Sequence, residues 1–388
     1  MASYKQISKY NWKVDIPLGY ENGKRKRVIK QGFRTKGEAE KFVTETLNKK
    51  NKGYIAPGEN NILFKDFIDK WFYEYKIFNI SINTKNDYIS RINAHIVPML
   101  GDYKLSDISI VTIQDFYNKL ISEKGMKPVS AKKVYDIVNS CLKYAKKLKL
   151  IYELPTDIEK QRVEKPTIKF WTQAEVDFFL SMIKGTYLYT PIFIDILTGL
   201  RIGELCGLRW CDVDFENGYI EVNCQAIQDK VNKLLLLSPV LKTSTSHRKI
   251  SIPNILVEYL KALKESRGAS KTDFIVLSRE GFMCKPRNLS MNFTKTIAKY
   301  KNSIEDMKKE TGNVPKDYMQ LKQISFHGLR HTHATLLIFN GENVKVVSDR
   351  LGHRDISITL NTYTHIMDDM KNNTAKLLDN IFNDEKSE

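Results

Sequence analysis

The chain has 388 residues, with 62 Lys and Arg against 45 Asp and Glu, a formal net charge of +17. That length predicts two or three domains, and the charge favours a polyanionic partner, most often nucleic acid. No apolar run approaches the roughly 20 residues that span a bilayer, and the first residues lack the apolar segment of a secretory signal. The five cysteines form no CxxC pair, which indicates free thiols rather than a disulfide framework. We therefore expect a soluble, cytoplasmic protein with no membrane partner.

The first 57 residues predict a small β-sheet with one covering helix. Trp12, Val14 and Ile16 alternate with polar residues, as in a half-buried strand. Asn22-Gly23 is a strong hairpin turn, after which KRKRVIKQGFRT continues as a second strand, with room for a third. A helix over about residues 36–49 would cover one face of the sheet and leave the other free.

This first segment is strongly basic. Residues 1–60 hold 14 Lys and Arg against 6 Asp and Glu, on a piece too small for a large core. One interpretation is a solvated basic hairpin, and the other is a sheet placed in a groove of DNA. Under the second interpretation the candidate DNA contacts are Lys24, Arg25, Lys26, Arg27, Lys30 and Arg34. Pro57-Gly58 then marks a linker.

From about residue 61 to 159 the pattern is helical. Apolar residues recur at helical spacing in FKDFIDKWFYEY, in TKNDYISRINAHIV up to Pro98, and in IVTIQDFYNKLI. A fourth helix carries an apolar stripe formed by Val134, Ile137, Val138, Cys141, Leu142, Ala145 and Leu148. Off the stripe lie Lys132, Lys133, Lys143, Lys146 and Lys147. Such a lysine-rich face is typical of solvated surface and also of contacts to a phosphate backbone.

A second linker, about residues 154–170, contains Pro155 and Pro166 and has no periodic apolar pattern. Thr172-Gln-Ala-Glu175 then forms a capping box, which predicts the start of a helix and of a new domain. Residues 170–388 predict a mainly helical α+β domain, with helices to about residue 208, short strands around 219–222 and 249–252, and mostly helices beyond. The apolar run QDKVNKLLLLSPV, residues 228–240, predicts an extended strand whose hairpin register stays open.

The stretch HGLRHTHATLL, residues 327–337, holds three of the seven histidines. His327 and His331 have the i, i+4 spacing of two zinc ligands on one helix face. However, no Glu follows the first histidine as in HExxH, and Arg330 would oppose a divalent ion, so we expect no metal site. Because the ATLL end is apolar, a buried helix remains an alternative for His331 and is the main interpretation for His333.

Three further polar motifs accompany this stretch. TGLRIGELCGLRWCDVDF has an arginine after a glycine turn and a glutamate at i+3, where the two can pair. PVLKTSTSHRKISIP has a lysine before a polar turn and a returning strand, and RLGHRDISITLNTYTH has a histidine after a glycine and a tyrosine ten residues later. In chain order the candidate site residues are Arg201, Glu204, Lys242, His327, Arg330, His353 and Tyr363.

These cations and one phenol suit transesterification of a phosphodiester. Two guanidinium groups can hold the non-bridging oxygens and neutralise charge that develops on phosphorus, as magnesium does elsewhere. A phenol must lose its proton to attack, and His327 or water could take it. A lysine among other cations gives up its proton more readily, which suits Lys242 to protonating the leaving 5′-oxygen. The phosphotyrosine ester conserves the bond energy and the chain has no GxxxxGK[ST] loop, so we expect no cofactor.

With these motifs in this order, the chain resembles the tyrosine recombinases, specifically the phage and conjugative-transposon integrases, over nearly its whole length. The resemblance implies that Tyr363 is the nucleophile and that Glu204 supports the first arginine. It further implies a catalytic set of Arg201, Lys242 of a β-hairpin, His327, Arg330 and His353. The implied function is site-specific recombination through a covalent 3′-phosphotyrosyl intermediate, which integrates and excises a mobile element.

The resemblance also implies three domains. Residues 1–57 would be a three-stranded, arm-type DNA-binding domain, residues 61–159 an all-helical core-binding domain, and residues 170–388 the mixed, mainly helical catalytic domain. The implied partners are double-stranded DNA at core-type and arm-type sites, DNA-bending and directionality proteins, and further copies of the chain in a homo-tetramer on two sites. In the tail NNTAKLLDNIF, Leu377, Leu378, Ile381 and Phe382 share one helix face that would pack in its own domain or on a neighbouring protomer.

Two other functions compete with this interpretation. A DNA-binding or architectural protein could keep the fold without activity, although the intact set of six catalytic side chains argues against it. A type IB topoisomerase shares the chemistry but relaxes DNA without exchange between sites. The separate basic N-terminal segment favours recombination, because relaxation needs no second DNA-reading unit.

Overall fold

The computed structural model of the protein describes residues 2–21, 24–51, 61–155, 157–162, 168–229, 232–239, 247–314, 318–353, 355–357, 359–360 and 362. Side chains are described for these residues except 19–21, 24–26 and 49–51. The chain divides into two compact units, residues 1–165 and 166–388. Within the described ranges, no helix combines the length and the apolar character that crossing a membrane demands.

The N-terminal sheet is antiparallel in the order β1-β2-β3 and is followed by one helix. Its elements are β1 (Ser3–Ser8), β2 (Asn11–Glu21), β3 (Lys24–Phe33) and α1 (Lys36–Asn51). Alternation along β2 turns Val14, Ile16 and Leu18 to one face, where they pack with Ala39 and Val43 of α1. The predicted half-buried sheet with a single covering helix is therefore confirmed.

The third strand of this sheet comes from an unexpected part of the sequence. We predicted room for it in KRKRVIKQGFRT, but that stretch forms one unbroken strand paired with β2, and the extra strand is β1. Tyr4 of β1 pairs with Val14 and packs at the same small core. The two apolar residues of SYKQIS, Tyr4 and Ile7, do not alternate and were too weak a signal for a strand.

Helices form the rest of the first unit. They are α2 (Phe64–Lys70) with a π-helical turn (Trp71–Lys76) and a 3₁₀ turn (Ile77–Asn79), α3 (Ile82–Arg91) with a π-helical turn (Ile92–Ile96), α4 (Val97–Leu100), a 3₁₀ turn (Leu105–Asp107), α5 (Ile110–Ser122) and α6 (Pro128–Lys147). We expected a helix to end at Pro98, yet helical structure continues to Leu100. The π-helical turn ends at Ile96, two residues before the proline, and its wider winding accommodates the proline ring and the missing N–H.

Helix α6 has the predicted two faces. Six residues of its apolar stripe are buried, namely Val134, Ile137, Val138, Cys141, Leu142 and Ala145. Leu148 was expected on the stripe but is 44% exposed, because the helix ends one residue earlier at Lys147. All five lysines off the stripe are exposed.

The second unit combines seven helices and five short strands in its described part. They are α7 (Gln173–Met182), α8 (Tyr189–Thr198), α9 (Ile202–Cys206), β4 (Val213–Asp214), β5 (Tyr219–Val222), β6 (Cys224–Asp229), β7 (Leu234–Pro239), β8 (Arg248–Ser251), α10 (Asn254–Arg267), α11 (Pro286–Thr311), α12 (Phe326–Phe339) and α13 (Val344–Leu351). One large apolar core, in which Trp171, Phe179, Phe293 and Phe326 pack together, joins most of these elements. Helix α13 instead packs on α12 in a smaller cluster of Ala334, Ile338, Val347 and Leu351. The predicted capping box at the start of α7 is confirmed, since the Thr172 backbone N–H donates to Glu175 Oε2 at 2.8 Å.

The strands of this unit form two separate antiparallel pieces. One is a three-stranded sheet in the order β4-β5-β8, which contains both strands that we predicted. The other is a hairpin of β6 and β7, with Cys224 opposite Pro239 and Asp229 opposite Leu234. The apolar run is thus a strand, as predicted, whereas β6 was not expected from the sequence. Lys242 lies outside the described residues.

Candidate active site

Arg201 stands where one helix ends and the next begins. Gly199 ends α8 in the left-handed conformation, with φ +65°, and Arg201 is the N-cap of α9. Its backbone N–H and its Nη1 both donate to the Glu204 carboxylate, at 2.9 and 2.8 Å. Its Nη2 donates to the carbonyl of Gly352 at 2.9 Å. The side chain remains 42% exposed. Its orientation is thus fixed by Glu204 and Gly352, while part of the guanidinium group is accessible to a ligand.

Glu204 is the buried anion that orders this arrangement, and it has a second partner. Arg248 donates to both of its oxygens, with Nη2 at 2.8 Å from Oε2 and Nη1 at 3.2 Å from Oε1. Burial by itself would raise the pKa of Glu204, but the hydrogen bonds and charge of Arg248, together with the charge of Arg201, lower it to about 2. Glu204 therefore stays ionised between two guanidinium groups.

Arg330 is the second cation of the site. Helix α12 carries it in a buried position, where Nη1 donates to the carbonyl of Gly199 at 2.7 Å and Nη2 donates to the carbonyl of Leu351. Burial lowers its pKa to about 9, with the charge of Arg201 adding to the effect, so the group is still protonated at neutral pH. A guanidinium has five N–H donors, and the bonds that Arg330 makes to described residues use two of them.

Asp195 of α8 lies within electrostatic reach of Arg330 and is buried. Among the described residues, neither of its carboxylate oxygens has a hydrogen-bond partner. Burial raises its pKa well above the usual range, against the opposing charge of Arg330. Asp195 therefore favours its neutral form, and the charge of Arg330 remains available for a different anion.

Three histidines share this electrostatic environment. The rings of His327 and His331 meet edge to face at 4.8 Å, and His353 Nδ1 lies 2.8 Å from Thr359 Oγ1. Desolvation, followed by the charges of Arg330 and Arg201, lowers the pKa of His353 to about 4 and also lowers that of His327. Desolvation and the neighbouring His327 and Arg330 lower the pKa of His331 to about 4. At neutral pH these rings are uncharged and can accept or donate a proton.

His333 has a different role from the other histidines. It is buried, its Nδ1 lies 2.7 Å from the carbonyl of Ile196, and its Nε2 lies 3.0 Å from Nε of Arg350. Because a carbonyl can only accept and an arginine can only donate, the ring is neutral with its proton on Nδ1. Burial and then the charge of Arg350 lower its pKa to about 3. The packing interpretation given to His333 from sequence agrees with this geometry.

The structure brings together five of the seven predicted site residues, namely Arg201, Glu204, His327, Arg330 and His353. Lys242 and Tyr363 lie outside the described residues. Sequence reasoning missed Arg248 and Arg350. A signal for Arg248 was present, because in RKIS it shares the inward-facing side of β8 with Ile250, and a charge at an inward strand position calls for a buried partner. In the described part of the chain, no group of three or more His, Cys, Asp or Glu side chains could hold a metal ion.

The predicted DNA contacts of the sheet fall on different faces. Arg27 lies on the face away from α1, as do Lys5 and Lys13, which pair with each other across β1 and β2. Lys30 pairs with Val14 on the side that α1 covers, and its ammonium lies 4.6 Å from the ring centre of Phe42. The side chains of Lys24, Arg25 and Lys26 lie outside those described. Arg34 is exposed and lies beyond the end of β3.

Three successive segments of the chain match families of known proteins. Residues 169–370 match the phage integrase family, residues 63–121 match the N-terminal SAM-like domain of phage integrases, and residues 3–50 match an arm DNA-binding domain. A XerC-like tyrosine recombinase of Caldanaerobacter subterraneus is 28% identical, over 98% of this chain and 99% of its own length. The ICEBs1 integrase of Bacillus subtilis is 24% identical, over 98% and 100%.

Solved structures show the same fold. The Tn1549 transposon integrase in complex with transposon right-end DNA superposes with a TM-score of 0.65 at 22% identity, covering 80% of this chain and 99% of its own. A lambda integrase tetramer on a Holliday junction gives 0.55 at 19% identity, covering 90% and 92%. The fold, the family matches and the relatives together define a tyrosine recombinase. Because the family match spans more than half of the sequence, the chain belongs to the phage integrase family.

Proposed function

We propose that the protein is the integrase of a mobile element, which cuts and rejoins DNA at defined sites through a covalent 3′-phosphotyrosyl intermediate. The observation that carries this proposal is that two arginines, Arg201 and Arg330, lie within electrostatic range of each other in one site. Both guanidinium groups are fixed by backbone carbonyls, Arg201 by that of Gly352 and Arg330 by that of Gly199. Two oriented cations in a partly desolvated site suit the non-bridging oxygens of one phosphate.

The proposed reaction keeps the number of bonds unchanged. The Tyr363 oxygen attacks phosphorus, a phosphorus–tyrosine bond forms, and the bond from phosphorus to the 5′-oxygen breaks. The phenolic proton passes to His327 or to water, and Lys242 supplies a proton to the 5′-oxygen. His327 is uncharged at neutral pH and therefore able to accept. Rejoining is the same step with another strand's 5′-hydroxyl, so neither nucleotide nor metal is consumed.

DNA is the proposed partner of the first unit as well as of the active site. The free face of the N-terminal sheet, with Lys5, Lys13 and Arg27, would read arm-type sites, and the exposed lysines of α6 would contact the backbone near core-type sites. We extend the tetramer of lambda integrase on a Holliday junction to this chain as a homo-tetramer on two sites. DNA-bending and directionality proteins would assist. With chromosomal DNA as the substrate, we propose that the enzyme acts in the bacterial cytoplasm, bound to the nucleoid.

A nicked-duplex trap tests the proposal. The substrates are duplexes that span the joined ends of the mobile element encoding the protein. Each carries a nick beside the cleavage position, so that the short fragment with the new 5′-hydroxyl diffuses away after cleavage. In EDTA, the wild type is expected to form an adduct that resists denaturation, and Tyr363→Phe to form none while binding the same DNA. An adduct that requires a metal ion, or that survives Tyr363→Phe, contradicts the mechanism.

Two further outcomes separate the alternatives. Adducts on any sequence, with relaxation of supercoils and no exchange between duplexes, would identify a topoisomerase-like enzyme. Tight binding without any adduct from the wild type would identify a DNA-binding protein without catalytic activity. Exchange between two duplexes that carry the same site is the result expected of an integrase.

A further inference from the structure

The C-terminal end of α13 contacts three arginines in succession. The carbonyl of Arg350 accepts from Arg248 Nε at 2.9 Å, that of Leu351 accepts from Arg330 Nη2, and that of Gly352 accepts from Arg201 Nη2 at 2.9 Å. The last carbonyls of a helix lack partners within the helix and form the negative end of its dipole. This turn therefore provides three adjacent acceptors, two of which orient the phosphate-binding guanidinium groups.

The side chain of Arg350 fixes that turn to the rest of the unit. Its Nε donates to His333 Nε2 at 3.0 Å, its Nη2 to the carbonyl of Leu197 at 2.9 Å, and its Nη1 to Ser251 Oγ at 3.1 Å. His333 is held in turn by the carbonyl of Ile196. These bonds connect α13 to α8, α12 and β8, which are the elements that carry or flank the site arginines.

Two glycines show how closely this region is packed. A Cβ added at Gly199 would lie 2.6 Å from Cδ2 of His333, and one at Gly352 would lie 3.1 Å from Cδ of Arg248. Both glycines have positive φ, +65° and +66°, and their carbonyls are acceptors for Arg330 and Arg201. Little space is therefore left for the turn to shift without moving the carbonyls that orient the two arginines.

We propose that Arg350, held by His333, is a positioning residue for strand cleavage. The inference rests on the proposed function and deepens it. Arg350 does not contact Arg201 or Arg330 through its side chain; it acts through the backbone turn whose carbonyls hold them. Loss of its three bonds leaves both guanidinium groups in the site but frees their orientation. Cleavage then slows while DNA affinity is retained, because affinity depends on many other phosphate contacts.

Single-turnover cleavage of the nicked duplex at saturating DNA tests this role. Arg350→Met is expected to lower the cleavage rate constant by about 10- to 100-fold, the scale on which small misplacements act, with the DNA dissociation constant within about 3-fold. Arg267→Met is the matched control, since Arg267 also donates to a carbonyl, that of Ile275 at 2.8 Å, and lies on α10. Its rate is expected to stay within about 2-fold of wild type.

Two readouts distinguish positioning from loss of folded enzyme. A structural defect lowers the fraction of protein that reacts, whereas a positioning defect lowers the rate of the fraction that does. In addition, a methylphosphonate at the scissile position removes one charge from the phosphate, so the contribution of guanidinium orientation shrinks. The ratio of wild-type to Arg350→Met rates should then fall to within about 3-fold. An equal ratio on both substrates, or an Arg350→Met rate equal to wild type, overturns the inference.

His333 supplies an independent pair of variants. Glutamine offers one donor and one acceptor and should keep near-wild-type cleavage, whereas His333→Phe keeps the ring shape and should slow cleavage like Arg350→Met. If Arg350→Met does not fold, this pair decides the question, and equal rates for the two variants refute the proposal. A wild type that forms no adduct would instead refute the proposed function itself.

Discussion

The active site and the N-terminal sheet are both basic, but their ion pairs differ in exposure to solvent. In the active site, Arg248 and Glu204 form an ion pair with side chains only 7% and 2% exposed. On the N-terminal sheet, Arg27 and Asp15 are 3.5 Å apart, with side chains 58% and 33% exposed. Desolvated pairs are rigid, and breaking one leaves an uncompensated charge. Solvated pairs are weak and are easily exchanged for a phosphate.

This contrast explains how one chain can both bind DNA and act on it. On the sheet, we expect each exposed cation to contribute a similar, salt-dependent increment to DNA affinity. In the site, the proposed phosphate would meet dipoles and charges that are already oriented, so they would not need to reorganise during the reaction. Substitutions in the two regions should therefore differ in size, in salt dependence and in the step that they affect.

The largest expected effect is on cleavage by Arg330→Ala. Removing this buried guanidinium takes away charge stabilisation at the phosphate, and we expect single-turnover cleavage to fall by about 10² to 10⁴ with a much smaller change in DNA affinity. Arg330→Lys retains a cation but cannot reproduce both carbonyl bonds, to Gly199 and to Leu351, so it should recover only part of the rate. Equal losses in affinity and in cleavage would place Arg330 among ordinary binding residues.

A smaller effect, on stability, is expected for Glu204→Gln. The pKa of Glu204 is depressed to about 2 in the folded protein from an ordinary value of 4.5. A depressed carboxyl pKa stabilises the fold above the unfolded pKa and loses that contribution as pH falls from about 4.5 toward 2. The variant should therefore lose about 3 kcal/mol of unfolding free energy at pH 7.

Urea unfolding between pH 7 and pH 3 checks this sign. The gap in unfolding free energy between wild type and Glu204→Gln should be constant at neutral pH. It should narrow below about pH 4.5, because there the Glu204 carboxylate takes up a proton in the unfolded wild type but not in the folded one. Glu258→Gln, at an exposed position of α10, is the control and should match wild type at every pH. A gap that persists unchanged at pH 3 would mean that packing rather than charge accounts for the loss.

The sequence predicted the parts of the molecule in which local pattern decides the outcome. The stripe of α6, the capping box at Thr172 and the alternation in β2 follow from side-chain periodicity, which is written along the chain. The grouping of Arg201, Glu204, His327, Arg330 and His353 followed from chemistry and resemblance rather than from periodicity.

The rest depends on contacts between distant parts of the chain. Arg248 and Arg350 are ordinary arginines in sequence, and their roles come from the buried partners Glu204 and His333, which lie 44 and 17 residues away. The strand β1 was missed because it is stabilised by pairing with β2 rather than by its own composition. Likewise, Lys30 and Arg27 belong to the same basic stretch of sequence. Only the register of β2 and β3 shows that their side chains lie on opposite faces of the sheet.

The smallest expected effect tests the free face of the sheet. Lys13→Ala removes one half-buried cation from the face away from α1, next to Lys5, so the slope of log affinity for arm-type DNA against log salt should decrease by about one charge, with intact cleavage of core-type sites. Lys30→Ala is the matched comparison, because its ammonium lies over the Phe42 ring on the helix-covered side, and its slope should stay nearer to wild type. Binding titrations at several salt concentrations measure both slopes. If the two variants changed the slope equally, the strand register would not decide which lysines contact DNA. Both faces of the N-terminal sheet, and not only the face away from α1, would then act as an additive basic surface.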